Sequence, residues 1–162
     1  MNACNSWSFC GESIMDLALP PDFKEFLRLL KDHNVRYLLI GGYAVGYHGY
    51  ARATEDMDIW VVIHPDNAER LVSVLKSFGF DLPELKPELF LQEKQIVRMG
   101  VPPLKIEICT FISGVDFEEC YQARVVDELD GVEVSLIDLE HLKKNKKASG
   151  RARDLADFER LP

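Results

Sequence analysis

A chain of 162 residues, 47% hydrophobic and 28% charged, is long enough to bury the core of one ordinary globular domain. Its net charge of −8 argues against nonspecific nucleic-acid binding, which a surplus of basic residues would drive. No apolar run approaches the ~20 residues that a membrane-spanning helix needs. Residues 1–14 lack the pattern of a secretory signal, so we expect a cytoplasmic protein without membrane attachment.

The spacing of the cysteines favours reduced thiols. Cys4, Cys10, Cys109 and Cys120 form no CxxC pair, and Cys109 lies inside an apolar, strand-like run. Such spacing is not typical of zinc sites. We therefore expect reduced thiols rather than a zinc site or a disulfide framework.

The chain begins with residues 1–16, which show no hydrophobic periodicity. We predict a flexible arm there, followed by a single domain at 17–162. A helix is predicted from the prolines at 20–21, because proline fits the first turn of a helix, to a stop at Asn34. Its buried face is formed by Phe23, Phe26, Leu27 and Leu30.

The later elements alternate between strands and helices. Strands are predicted at 37–40, 57–63, 95–99, 104–110, 124–128 and 132–136, and helices at 42–48, 65–77, 113–120, 138–148 and 151–161. Two pairs of late strands are typical of hairpins, the second of which turns at Asp130-Gly131. This mixture predicts an α/β (α+β) domain in which a mixed β-sheet is flanked by helices.

A glycine pair, Gly41-Gly42, directly follows the first strand. Glycine lets the backbone turn sharply and lets a ligand approach the main chain closely. The predicted helix after it presents unpaired N–H groups, so the turn is a candidate phosphate site. A tight turn without any ligand explains the same pair equally well. The sequence contains neither G-x-G-x-x-G nor G-x-x-x-x-G-K-[ST] at this point.

An acidic pair, Asp56 and Asp58, lies where the second strand starts. Side chains two apart on a strand point to one face, and two like charges there are costly unless a cation lies between them. Glu107 interrupts the apolar run at 104–108 and is the predicted third carboxylate. Its structural alternative is an outward-facing residue on a half-exposed strand.

Three carboxylates beside a phosphate-binding turn predict a site for two Mg²⁺ ions, because Mg²⁺ takes one or two protein carboxylates together with substrate phosphates. Two such ions suit in-line transfer of a nucleotidyl group from an NTP to a hydroxyl. One ion activates the acceptor hydroxyl, and the other holds the triphosphate and the leaving pyrophosphate. Glu107 is expected on the acceptor side, where it acts as the general base or assists it.

A basic segment at 143–153 carries six Lys and Arg residues and no acid, in a chain that is otherwise acidic. Such a segment can meet a phosphate group, or it can be the solvated face of a helix. Arg52 and Thr54, just before the acidic pair, are also candidates for phosphate contact. Positioning of their own loop is the alternative.

These motifs resemble the DNA polymerase β-type nucleotidyltransferase superfamily. Its signature is a glycine turn, an Asp-x-Asp pair and a third acid on a later strand, and 41–42, 56–58 and 106–108 match it. The segment GGYAVGYHGYARATEDMD at 41–58 is similar to small prokaryotic members, which are related to the toxin-type nucleotidyltransferases of abortive-infection systems. The tail at 146–157 is similar to theirs as well, so the likeness covers about residues 22–160.

The resemblance implies a nucleotidyltransferase fold, a set of metal ligands and a set of nucleotide contacts. The implied metal ligands are Asp56, Asp58 and Glu107. The implied nucleotide contacts are Gly41, Gly42 and Lys146, with Lys143 and Arg151 as further candidates. The chain departs from the signature at two positions: Tyr43 stands after the glycines without a serine hydroxyl, and Glu107 stands where aspartate is commoner.

The sequence thus favours a Mg²⁺-dependent nucleotidyltransferase with an NTP donor and a hydroxyl acceptor on a small molecule, a tRNA or a protein. One alternative is a noncatalytic protein of the same fold, a nucleotide sensor or a toxin–antitoxin-type partner, because no acceptor-binding domain is evident. A second alternative is a DNA- or RNA-binding module that uses residues 143–153. A partner chain or a homo-oligomer fits each of these functions.

Overall fold

The computed structural model describes residues 18–162. The predicted arm at 1–16 and two of the cysteines, Cys4 and Cys10, therefore lie outside the described residues. Within the described part, Cys109 and Cys120 are buried and carry free thiols.

A mixed sheet of six strands forms the centre of the described chain, in the order β3-β4-β2-β1-β6-β5. The pairs β2–β4 and β1–β6 are parallel, and the other three pairs are antiparallel. This arrangement confirms the predicted α/β (α+β) class. The strands are β1 (Tyr37–Ile40), β2 (Asp56–Val61), β3 (Ile96–Met99), β4 (Lys105–Cys109), β5 (Val125–Leu129) and β6 (Val132–Leu136).

Helices occupy both faces of the sheet. They are α1 (Pro21–Asp32), α2 (Gly41–Tyr47), α3 (Pro65–Phe78), α4 (Phe117–Gln122), α5 (Leu139–Ser149) and α6 (Ala152–Arg160), with a 3₁₀ turn at Pro87–Phe90. No helix within residues 18–162 combines the length and the apolar character needed to cross a bilayer.

The sheet separates two apolar cores. Helices α1 and α3 cover one face, which is lined by alternate strand residues such as Leu39, Met57 and Ile59. Helices α4 and α5 and the C-terminal end of the chain cover the other face, where Leu38 and Trp60 are buried. Because side chains alternate along β2, the residue between Met57 and Ile59 faces the side of the second core. Asp58 is therefore directed toward the α4–α5 side of the sheet.

Helix α1 follows the prediction closely. It begins at Pro21 and buries the predicted apolar stripe, and Asn34 takes a left-handed φ of 57° just after it ends. The helix predicted at 113–120, however, lies at Phe117–Gln122. Helix α4 begins at Phe117, and the carboxylate of Asp116 caps it by accepting from the Glu119 N–H at 3.1 Å. The reason is Gly114, whose φ of +82° is incompatible with a right-handed helix.

Candidate active site

The carboxylates of Asp56, Asp58 and Glu107, which we call the carboxylate row, lie on the neighbouring strands β2 and β4. Strands β2 and β4 run parallel, with Asp56 opposite Lys105 and Asp58 opposite Glu107. Since alternate residues on a strand share a face, Asp56, Asp58, Lys105 and Glu107 all belong to one face of the sheet. The strand register thus brings together the three acids that the sequence predicts as ligands.

A cavity of about 980 Å³ opens over the carboxylate row. Such a volume is within the range of small-molecule binding sites. Nine of the ten predicted site residues line this cavity, and Lys143 is the one that does not. The nine are Gly41, Gly42, Arg52, Thr54, Asp56, Asp58, Glu107, Lys146 and Arg151.

The electrostatics of the carboxylate row are most unusual at Asp58. Burial, followed by the like charges of Glu107 and Asp56, raises the pKa of Asp58 to about 6, and Lys146 opposes this shift. No cationic side chain in residues 18–162 forms an ion pair with Asp58. Asp58 is consequently a crowded carboxylate without a direct counter-ion.

Two cations that the sequence did not single out as site residues lie against the row. The ammonium of Lys105 is 3.5 Å from Asp56 Oδ2 and 3.4 Å from Glu107 Oε2. Arg98 Nε, on the edge strand β3, donates to the same oxygen of Glu107 at 3.1 Å. The signal for Lys105 was present, because it precedes Glu107 by two positions on one strand. Arg98 required the β3–β4 register, in which it pairs with Glu107.

The glycine turn packs directly beneath the row. Gly41 has a φ of +68°, and a Cβ there would overlap the Asp58 carboxylate and lie 2.9 Å from its Cγ. A Cβ on Gly42 would lie 2.7 Å from Thr54 Oγ1. Both glycines are therefore required by contacts inside the site itself. The helix that begins with these two glycines, α2, is only seven residues long.

The loop before β2 is held by Arg52 and Thr54. The guanidinium of Arg52 donates to both carboxylate oxygens of Asp157, each at 2.9 Å. Thr54 Oγ1 donates to the main-chain oxygen of Asp56 at 3.2 Å. In this conformation, both side chains position the loop that leads to the acids.

Lys146 belongs to a second charged group, which we call the ion cluster and which contains Arg52, Lys146, Asp154 and Asp157. Lys146 is only 5% exposed, and its ammonium lies 2.9 Å from Asp154 Oδ1 and 3.2 Å from Asp157 Oδ2. The predicted nucleotide lysine therefore lies at the cavity wall, with two aspartates as its partners.

Hydrogen bonding decides the acidity of the aspartates in the ion cluster. Burial alone would raise the pKa of Asp157, but hydrogen bonds from Arg52 and Lys146 outweigh it and hold the pKa below its usual value. Burial likewise acts on Asp154, and hydrogen bonds led by those of Ser149 and Lys146 lower its pKa. Both carboxylates are therefore held in the charged form.

Lys143 and the aromatic residues near the glycine turn lie apart from the cavity. The ammonium of Lys143 donates to the main-chain oxygen of Pro162 at 2.9 Å. His48 Nε2 lies 2.8 Å from the main-chain oxygen of Ile137, and Tyr43 is buried edge-to-face against Phe23. These side chains have packing and hydrogen-bonding partners away from the predicted chemistry.

Comparison with known proteins bears on the fold. No family model matches the chain, and no curated protein matches its sequence. Among solved structures, a candidate nucleotidyltransferase from Thermotoga maritima matches with a TM-score of 0.57 and 16% sequence identity, over 85% of this chain and 88% of that one. Likeness at this identity concerns the fold, so the chain has a nucleotidyltransferase fold, as predicted.

Proposed function

We propose that the chain is a Mg²⁺-dependent nucleotidyltransferase, which moves NMP from an NTP to a hydroxyl acceptor. The observation that carries this proposal is the register of β2 and β4, which pairs Asp58 with Glu107 and places Asp56 on the same face. The cavity above these acids is large enough for a nucleotide. The resemblance of its motifs further suggests that the chain is one of the small prokaryotic nucleotidyltransferases similar to the toxin-type enzymes of abortive-infection systems.

The donor set fits magnesium in chemical type. Carboxylate oxygens are the protein ligands that Mg²⁺ takes, and the ammonium of Lys105 between Asp56 and Glu107 shows that these oxygens attract a cation. Within residues 18–162, no three acidic, histidine or cysteine side chains converge as in a formed metal site. Asp56, Asp58 and Glu107 would hold two ions after local rotation of their side chains.

Bound Mg²⁺ would supply polarisation of the phosphate oxygens and a lower pKa of the acceptor hydroxyl. The chain's own residues would do the rest. Gly41 and Gly42, which lack side chains, would let the triphosphate approach the backbone closely. Glu107 would accept the proton of the acceptor hydroxyl while the hydroxyl oxygen attacks the α-phosphorus and pyrophosphate leaves.

The cavity wall also carries the groups proposed to contact the nucleotide. Arg52, Thr54 and Lys146 line it near the glycine turn, although the two cations are already paired with aspartates. We propose that they support the site rather than supply its main phosphate charge. Arg151 and Arg153 line the same wall. Arg151 Nε also lies 2.9 Å from Asp154 Oδ2, but the Arg151 side chain is 80% exposed, so it can turn toward a phosphate.

Calorimetric titration with MgATP, MgCTP, MgGTP and MgUTP tests the proposal. At least one nucleotide should bind the unaltered protein, and Asp58→Asn should weaken that binding at least about tenfold, because it removes a ligand charge from the site. Asp81→Asn removes an exposed carboxylate from the loop between α3 and the 3₁₀ turn and serves as the matched control. Absence of binding by all four nucleotides, or equal binding by Asp58→Asn, would sink the proposal.

A noncatalytic nucleotide-binding protein is the second candidate function. The observation that favours it is the pairing of Lys105 with Asp56 and Glu107, together with Arg98 on Glu107, which occupies two of the three acids. Incubation with α-labelled NTPs and cell extract, followed by mass spectrometry of labelled acceptors, separates the two functions. A labelled acceptor that disappears with Asp58→Asn excludes the noncatalytic candidate.

A further inference from the structure

Lys105 occupies a central position among the acids of the site. It lies on β4 opposite Asp56, two residues before Glu107. Its ammonium is within 3.5 Å of a carboxylate oxygen from each of these residues, which belong to different strands. One cation thus bridges the two neighbouring strands at the place where the carboxylates gather.

The local charges explain why such a bridge is needed. Three carboxylates on one face repel one another, and the repulsion is strongest where water is partly excluded. Lys105 is 26% exposed, so its charge is only partly screened by solvent. Arg98, in contrast, is 60% exposed and contacts Glu107 alone. Of the two cations, Lys105 is therefore the one that holds acids of both strands.

We propose that Lys105 is a positioning residue, an internal counter-ion that holds Asp56 and Glu107 in the metal-free protein and competes with a divalent cation for their oxygens. The inference rests on the metal site of the proposed function. A carboxylate oxygen that accepts from an ammonium is less available to a metal ion. The flexible four-carbon stem of lysine lets the ammonium leave without rearrangement of the strands.

Competition gives a signature that a merely solvated lysine would not give. Lys105→Met keeps the length of the side chain and removes its charge, so Mg²⁺ should bind about tenfold more tightly in a calorimetric titration with MgCl₂. Lys105→Arg keeps the charge and should stay within about twofold of the unaltered protein. Lys76→Met removes one charge from an exposed site on α3 and controls for net charge; it should also stay within about twofold.

Thermal stability gives a second readout that does not depend on catalysis. In the presence of EDTA, Lys105→Met should melt about 2–4 °C below the unaltered protein, because Asp56 and Glu107 lose their shared counter-ion. Saturating Mg²⁺ should remove most of that difference, since the metal ion then takes the place of the ammonium. A lysine that acts only through general packing would give a deficit that Mg²⁺ leaves unchanged.

The outcomes separate this inference from the proposed function. If Mg²⁺ binding to the unaltered protein is lost in Asp58→Asn but unchanged or weaker in Lys105→Met, the counter-ion role is wrong and the metal site stands. If neither the unaltered protein nor Lys105→Met binds Mg²⁺, both proposals fail. Binding that becomes measurable only in Lys105→Met supports the counter-ion role most strongly.

Discussion

The carboxylate row and the ion cluster face the same cavity, yet they treat their acids in opposite ways. In the ion cluster, two cations meet two aspartates with direct hydrogen bonds, and the pKa values of both aspartates are lowered. In the row, Asp58 has like charges as neighbours, and its pKa is raised to about 6. One set of charges is internally matched, and the other carries a surplus of negative charge.

This difference separates a structural role from a binding role. Matched buried charges stabilise one conformation, since loss of either partner leaves an uncompensated charge. A surplus of carboxylates costs stability in the absence of a ligand, and it creates affinity for the cation that relieves it. The ion cluster thus joins α5 and α6 to the loop before β2, and the row is the part of the wall suited to a metal ion.

The largest expected effect on stability comes from removing a cation from the ion cluster. Lys146→Met should lower the free energy of unfolding by about 3 kcal/mol, because Asp154 and Asp157 would stay buried without their shared ammonium. Urea denaturation measures this loss. Lys143→Met removes a partly exposed cation from the same helix and should cost no more than about 0.5 kcal/mol. Equal losses for the two variants would contradict the assignment of Lys146 to a buried ion cluster.

The pH dependence of stability should have opposite signs for the carboxylate row and the ion cluster. Because the folded-state pKa of Asp58 is raised, its contribution to stability is fully present below the unfolded pKa near 4 and is lost as pH rises through about 6. Asp154 and Asp157 have lowered pKa values, so their contributions are present above about pH 4 and are lost as pH falls.

The variant Asp58→Asn isolates the contribution of Asp58 to the pH dependence of stability. In EDTA at pH 8, it should raise the free energy of unfolding by about 2 kcal/mol, after a discount of the pKa shift for partial solvent screening. At pH 4 the ionisation of Asp58 should make almost no difference between the free energies of unfolding of the variant and the unaltered protein. Urea denaturation at the two pH values measures the effect. A destabilised Asp58→Asn protein at pH 8 would show that Asp58 is matched after all.

The smallest of the three effects sharpens the role of the glycine turn. Gly41 and Gly150 have nearly the same φ, +68° and +71°, but only Gly41 has the Asp58 carboxylate against it. Gly41→Ala should therefore cost about 1–2 kcal/mol more than Gly150→Ala in urea denaturation, since both pay the backbone strain and one adds an overlap. The same cost in both variants would mean that Asp58 moves aside freely.

Much of the fold was predictable because its signals are local. Apolar periodicity located the helices and strands to within a few residues, and proline and glycine marked most of their ends. The grouping of Asp56 and Asp58 with Glu107 was also predictable, since strand alternation fixes the face and β2 and β4 are neighbours. The left-handed Gly114 displaced the start of α4, because glycine is compatible with either a helix or a turn until its φ is known.

The charge partners were not predictable, because they are set by contacts between distant segments. The basic segment at 143–153 contains no acid, but Asp154 and Asp157 follow it directly and neutralise Lys146 once α5 and α6 pack together. A charge count that stops at residue 153 therefore overstates the positive charge offered to a phosphate. The bridge made by Lys105 likewise depends on the register between two strands that are far apart in sequence.

The pairing of Arg52 with Asp157 also has a consequence for how the protein is made. The two residues are 105 positions apart, so the loop before β2 leaves the ribosome long before its partner exists. At roughly 5–20 residues per second, the interval is on the order of 5–20 s. During that time β1 and β2 can pair, while the guanidinium of Arg52 stays in water. The cavity wall is completed only when α6 docks, well after β1 and β2 are able to pair.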